Sequence, residues 1–237
     1  MMNTKKGAEG RRQFVNYSFF KLSPEWRKQP DEERRFQKEE AVATLKRWCT
    51  EEMRVLTYST VGLRSDCDLL LWRICYSIDC LSSAHADLIA TKLGGFLSET
   101  HSFLGMTRHS QYLIDEAHHE HFDPRGIIRP GNSRYLFVNP LSRKREWYQL
   151  PFEERQRMVT EQVKLSEDFR GIRKHVSYSM GLDDQDFVVA YECDQPELIV
   201  DLQARLRDTD ASTFTASETP SFSCIRTTFE DAFARLG

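Results

Sequence analysis

No apolar run in this 237-residue sequence approaches the length of a membrane span. The opening MMNTKKGAEGRRQF carries charge but no apolar segment of the signal-peptide kind, so the expectation is a cytoplasmic chain without a membrane span. The six cysteines (Cys49, Cys67, Cys75, Cys80, Cys193, Cys224) contain no C-x-x-C pair. Without metal-knuckle spacing they read as scattered reduced thiols. An excess of one charge sign is also missing: the net charge is -3, which gives nucleic acid or another polyanion no reason to bind. What is present is ordinary for a globular protein, with 40% apolar and 29% charged residues in a chain long enough for one large domain or two of ordinary size.

One pattern occurs twice. EWRKQPDEERRF at 25–36 and EWYQLPFEERQRM at 146–158 both place Pro four residues after Trp (Trp26 and Pro30, Trp147 and Pro151), followed by x-Glu-Glu-Arg. Each copy has a short apolar run before it, FVNYSFFKL and RYLFVNPL, and a stretch of good helix formers free of Gly and Pro after it. A strand pair then follows in each half, with Tyr-Ser ahead of a Gly-Leu turn, and after it a second helix: SSAHADLIATKLGGFL in the first half and DQPELIVDLQARLR in the second. The latter has Asp194 and Glu197 at capping-box spacing and Leu198, Leu202 and Leu206 on one face. With THSFLGMTR and FSCIRTTF as closing strands, each half reads β-α-β-β-α-β, the ferredoxin-like arrangement. The expected organisation is an N-terminal half over 1–111, a linker over 112–133 rich in turn residues, and a C-terminal half over 134–237.

Residues 134–223 resemble the C-terminal part of the chlorite dismutase family, which includes the coproheme decarboxylases. The resemblance is carried by EWYQLPFEERQRM, by YSMGLDDQDFVVAYE with its Gly-Leu-Asp-Asp turn, and by LRDTDAS, in that order. It implies an α+β fold of tandem ferredoxin-like repeats forming a dimeric α+β barrel, assembled as a homopentamer, with haem or coproheme held in the C-terminal half. It also implies an axial histidine on the helix that begins at Glu153-Glu154-Arg155, but that position is Gln162. The decarboxylase tyrosine before the strand proline is replaced by Asn139, which has no phenol to oxidise. On the distal side the resemblance points to His175, able to move protons near neutral pH. It puts Tyr112, Arg207 and Ser212 where relatives hold the propionates, and an arginine with hydroxyl donors makes a reasonable carboxylate clamp.

The residues themselves leave alternatives open. Met158, Gln162, Leu165 and Phe169 fall in one stripe at about 100° per residue, so Gln162 is expected to turn its amide inward and to bond a neighbouring group or a ligand. His175, Ser177 and Ser179 share one strand face and Val176, Tyr178 and Met180 the other; His175 there is either functional or simply part of a polar sheet face. His118, His119 and His121, with Asp115, Glu116 and Glu120, are weak metal candidates, and a polar linker is the plainer explanation.

The function expected is tetrapyrrole binding or an atypical oxidoreductase reaction; Gln162 and Asn139 argue against conventional chlorite dismutation and coproheme decarboxylation. The alternative is a relative free of iron porphyrin that acts as a non-haem enzyme, a carrier or an assembly subunit. A cofactor-free oxygenase is a third possibility that fold alone cannot decide.

Overall fold

The computed structural model describes residues 11–112 and 127–237. In the first half β1 (Phe14–Leu22) lies antiparallel between β3 (Leu69–Cys75) and β4 (Leu97–Met106), and β2 (Met53–Ser59) pairs with the far side of β3. α1 (Asp31–Arg47) connects β1 to β2, and α2 (Ile78–Ile89) connects β3 to β4. The second half repeats the order with β5 (Tyr135–Arg143), a short α3 (Arg145–Gln149), α4 (Phe152–Glu167), β6 (Arg173–Tyr178), β7 (Phe187–Cys193) and α5 (Glu197–Arg207). It closes with β8 (Thr215–Ser217), β9 (Phe222–Thr227) and α6 (Phe229–Ala234). The strand orders are β4-β1-β3-β2 and β6-β7-β5-β9, the ferredoxin-like order in both halves. Pairings β4–β6 and β2–β9 join the two sheets into a closed barrel, with β8 hanging on β5 outside the ring.

The repeated Trp-Pro-Glu-Glu-Arg motif has the same structural meaning in both copies. Trp26 and Trp147 are buried, and Pro30 and Pro151 occupy the N-caps of α1 and α4. Acidic side chains fill the first turn of each helix and basic ones the last, in line with the helix dipole. α5 departs from expectation. Pro196 holds its N-cap position without a side-chain bond, and Asp194 Oδ1 instead accepts from Arg134 N at 2.7 Å. The helix starts too late for Asp194 to cap it, and the carboxylate pins the entry to β5.

Period-two alternation sorts the strand residues into two layers. Val15, Tyr17, Phe19, Leu70, Trp72, Leu136, Val138, Val188, Ala190 and Phe222 point into the barrel, where Tyr17 stacks on Trp72 and Phe19 on Phe222. The other face meets the helices, and here the halves differ. In the first, α1 buries Gln37, Ala41, Val42, Thr44 and Leu45, and α6 adds Ala232, Phe233 and the following Leu236 to one continuous core. In the second, only Met158 of α4 is fully buried, and the apolar contacts split into two smaller clusters. α4 therefore stands away from its sheet.

His175 belongs to the barrel layer. Its ring packs on Trp72 at 5.4 Å between centroids, and its Nε2 lies 2.8 Å from Glu192 Oε2 on the neighbouring strand. His175 is 6% exposed and Glu192 is fully enclosed. Burial alone would raise the Glu192 pKa, but the bonds from His175 and from Gly131 N hold it below its ordinary value, assisted by Arg226. With Glu192 ionised, Nε2 carries the proton and donates. The same Oε2 accepts from Gly131 N at 2.7 Å, Gln13 Oε1 accepts from Ile128 N at 2.7 Å, and Arg129 O accepts from Arg173. The described end of the expected linker is thus strapped across the barrel mouth.

Two outcomes follow for stability. His175→Ala leaves an enclosed carboxylate without its partner, and chemical denaturation at neutral pH is expected to show a loss of about 3–5 kcal/mol. Because the folded-state pKa of Glu192 is depressed, its contribution is present above the unfolded value of about 4.3 and disappears as pH falls through the folded value; Glu192→Gln should flatten the acid limb of the stability curve. At the β4–β6 seam, a Cβ on Gly105 would lie 2.7 Å from Ser177 Oγ and 2.8 Å from its Cβ, whereas one on Gly95 would meet nothing within 4 Å. Thermal unfolding should show Gly105→Ala destabilised by about 1–3 kcal/mol and Gly95→Ala changed by less than about 0.5 kcal/mol.

Candidate functional site

Where α4 stands off the sheet, the second half encloses a cavity of about 1180 Å³. Its floor is the outer face of β5, β6 and β7, supplying Leu141, Val176, Tyr178, Val189 and Tyr191; α4 forms the opposite wall with Val159, Gln162, Val163 and Ser166. The strap contributes Ile127, Ile128, Arg129 and Ser133. Cations dominate the charged lining, with Arg108, Arg129, Arg143, Arg170, Arg173, Lys174 and Arg207 against two carboxylates, Glu167 and Glu218. Two apolar walls with this cationic surround suit a flat apolar ligand that carries carboxylates.

Five of the residues singled out in the sequence meet at this cavity: Tyr112, Gln162, His175, Arg207 and Ser212. Tyr112 stacks on Phe152, and its hydroxyl accepts from Arg155 Nη1 at 3.1 Å. The Gln162 amide donates to Thr209 Oγ1 at 3.1 Å, a bridge from α4 to the end of α5 that leaves the carbonyl oxygen for the cavity. Ser212 Oγ sits 2.7 Å from the carbonyl oxygens of both Arg207 and Thr209, so the hydroxyl first serves to close the α5 terminus. Arg207 is exposed at the rim, its guanidinium making no hydrogen bond to another described residue.

The structure does not place every residue in the way expected. His175 also borders the cavity, beside Lys174, Val176 and Tyr178 of the same strand, but its ring packs on Trp72 and its Nε2 is bonded to Glu192 Oε2. Asn139 is not among the lining residues; its amide donates to Ser221 Oγ at 2.7 Å. His118, His119 and His121, with their acidic neighbours, lie outside the described residues. Among the described residues no group of three or more His, Cys, Asp or Glu side chains could hold a metal ion.

Lys174, which sequence reasoning passed over, lines the cavity beside His175. It is half-buried, and its Nζ lies 6.0 Å from the Tyr191 ring centroid. Burial, then the nearby Arg143 guanidinium, lowers its pKa to about 8 against the opposing pull of Glu218. Burial also draws Arg143 below its usual range and pushes the Tyr191 phenol up. Arg143 is held in place by Ala211 O at 2.7 Å and packs over Trp147. The signal for Lys174 was present in the alternation of β6 around Val176 and Tyr178.

A family profile described as chlorite dismutase matches residues 34–227. A coproheme decarboxylase of Mycolicibacterium smegmatis is 32% identical over 179 residues, 76% of this chain and 75% of the relative. Among solved structures, the chlorite dismutase of Candidatus Nitrospira defluvii in complex with imidazole superposes with a TM-score of 0.86 at 18% identity, covering 94% of both chains. A haem-binding protein from Thermus thermophilus superposes with a TM-score of 0.85 at 22% identity, covering 95% of both. With the profile spanning most of the chain and the barrel shared throughout, the chain belongs to the chlorite dismutase family.

Proposed function

We propose that the cavity between α4 and the outer face of β5–β7 binds a tetrapyrrole, haem or coproheme, and that the chain carries out neither conventional chlorite dismutation nor coproheme decarboxylation. The observation that carries this reading is the pairing of apolar walls with a cationic surround in a space of about 1180 Å³. A macrocycle fits between Val159 and Val163 on one side and Val176 and Val189 on the other, while its carboxylates meet Arg170, Arg173 and Arg207. Relatives named as coproheme decarboxylase and haem-binding protein support the same ligand class.

A bound iron tetrapyrrole would supply redox chemistry that no side chain of this cavity offers by itself. What the chain contributes is binding, orientation and the exclusion of water by the strap at 127–134. The helix α4 contains no histidine, so the electron push that an axial imidazole gives towards peroxide cleavage is missing from that side. Asn139, tied to Ser221, has neither the phenol nor the position to exchange an electron with a ligand carboxylate. These departures favour a carrier or an atypical oxidoreductase over the two named activities. Assembly as a homo-oligomer and a cytoplasmic location complete the proposal; among the described residues no helix is long and apolar enough to cross a membrane.

Absorbance titration of the apoprotein with iron coproporphyrin, haem b and metal-free coproporphyrin tests the reading. Saturable binding is expected, with Arg207→Ala weakened roughly tenfold, the loss of one charge-assisted hydrogen bond of ~1.5 kcal/mol. Failure of all three ligands to saturate the native protein would overturn it. Saturation by the metal-free ring alone would favour an iron-free carrier.

A further inference from the structure

Among the described residues the cavity presents one aliphatic amine, and it is on the sheet. Of the nitrogen-bearing side chains that line it among the described residues, the arginines stay protonated and have no lone pair to give. Gln162 offers an amide, which donates to Thr209. The imidazole of His175 also borders the cavity, but it is packed on Trp72 and tied through Nε2 to Glu192. Lys174 remains, on the floor and directed away from the barrel, with Val176 and Tyr178 following it on the same face of β6.

Its surroundings lower the cost of giving up the ammonium proton. Lys174 forms no salt bridge with a described carboxylate, and the pull of Glu218 is opposed by burial and by the Arg143 cation; the Tyr191 ring centroid lies 6.0 Å from Nζ. An amine in a largely apolar floor opposite the cavity wall of α4 approaches a flat ring sandwiched between them from the face that α4 does not cover. Lysine suits the task because its long unbranched stem lets one nitrogen reach the centre of a ring whose edge contacts are made by others.

We propose that Lys174 Nζ is the protein ligand to the metal of the tetrapyrrole in this cavity, replacing on the sheet side the imidazole that α4 lacks. The inference rests on the tetrapyrrole reading above. On ligation the ammonium loses one N–H proton to solvent and the freed lone pair forms the bond to the metal; no electron is transferred. Gln162, held by Thr209, faces the opposite side of the ring and leaves it open or weakly bound.

The test uses the full chain loaded with ferric coproporphyrin and, separately, haem b, and reads binding and ligation independently. Binding is followed by absorbance titration, and ligation by electron paramagnetic resonance and near-infrared magnetic circular dichroism. The native complex is expected to be low-spin with an amine signature. In Lys174→Leu that signature should vanish in favour of a high-spin spectrum while the ring still binds; Lys174→Gln, of similar length, serves if the leucine variant does not fold and should lose the signature equally. Lys174→His should restore a low-spin nitrogen-ligated spectrum with imidazole character. A native complex that is high-spin, or a native spectrum retained in Lys174→Leu or Lys174→Gln, would overturn the assignment while leaving the tetrapyrrole reading intact. Absence of binding by native protein and variants alike would overturn the tetrapyrrole reading itself.

Discussion

Closure of the barrel is the constraint on which everything else depends. Once β4 meets β6 at Met106 and Tyr178 and β2 pairs with β9 over Thr57–Ser59, the sheets form one ring with an inner and an outer compartment, and strand parity sorts side chains between them. The inner compartment is filled by aromatic and branched side chains and by the His175–Glu192 pair. The outer one belongs to the helices. A one-residue shift along β6 would turn the Lys174 side chain towards the aromatic residues of the barrel.

The two halves use the same strand order and the same Trp-Pro-Glu-Glu-Arg device yet solve the outer compartment differently. Over the first sheet α1, α2 and α6 press down a continuous apolar layer. Over the second, α4 is held off, anchored at mid-helix by Met158 against Trp147 and by the Gln162–Thr209 bridge. One copy of the repeated unit is filled by a core while the other leaves a ligand-sized space. The stability missing from the second half is partly supplied by the strap, whose backbone is bonded to Gln13, Glu192 and Arg226.

Much of the fold was legible in the sequence, because repetition reveals topology without any need to find exact boundaries. The helices after Pro30 and Pro151 and the strands around the Gly-Leu turns fell where the repeat put them. The capping box did not, because Pro196 delays the helix and leaves Asp194 free to bond Arg134. The candidate site was legible in part. Tyr112, Gln162, His175, Arg207 and Ser212 do converge on one cavity. The resemblance drew attention to His175 and away from its neighbour Lys174, although the alternation of β6 puts Lys174 on the face of Val176 and Tyr178. The enclosure that lowers the lysine's proton affinity comes from α4, Arg143 and Glu218, which only folding brings together.

The position of α6 also has a bearing on how the chain comes to be folded in the cell. Phe233 and Leu236 sit in the core between α1 and the first sheet, although they are made after everything else described in the chain. A ribosome therefore releases the entire first half with part of its core exposed, and the missing pieces arrive only after the second half has been translated. The first half has its full core only once α6 has been made and docked.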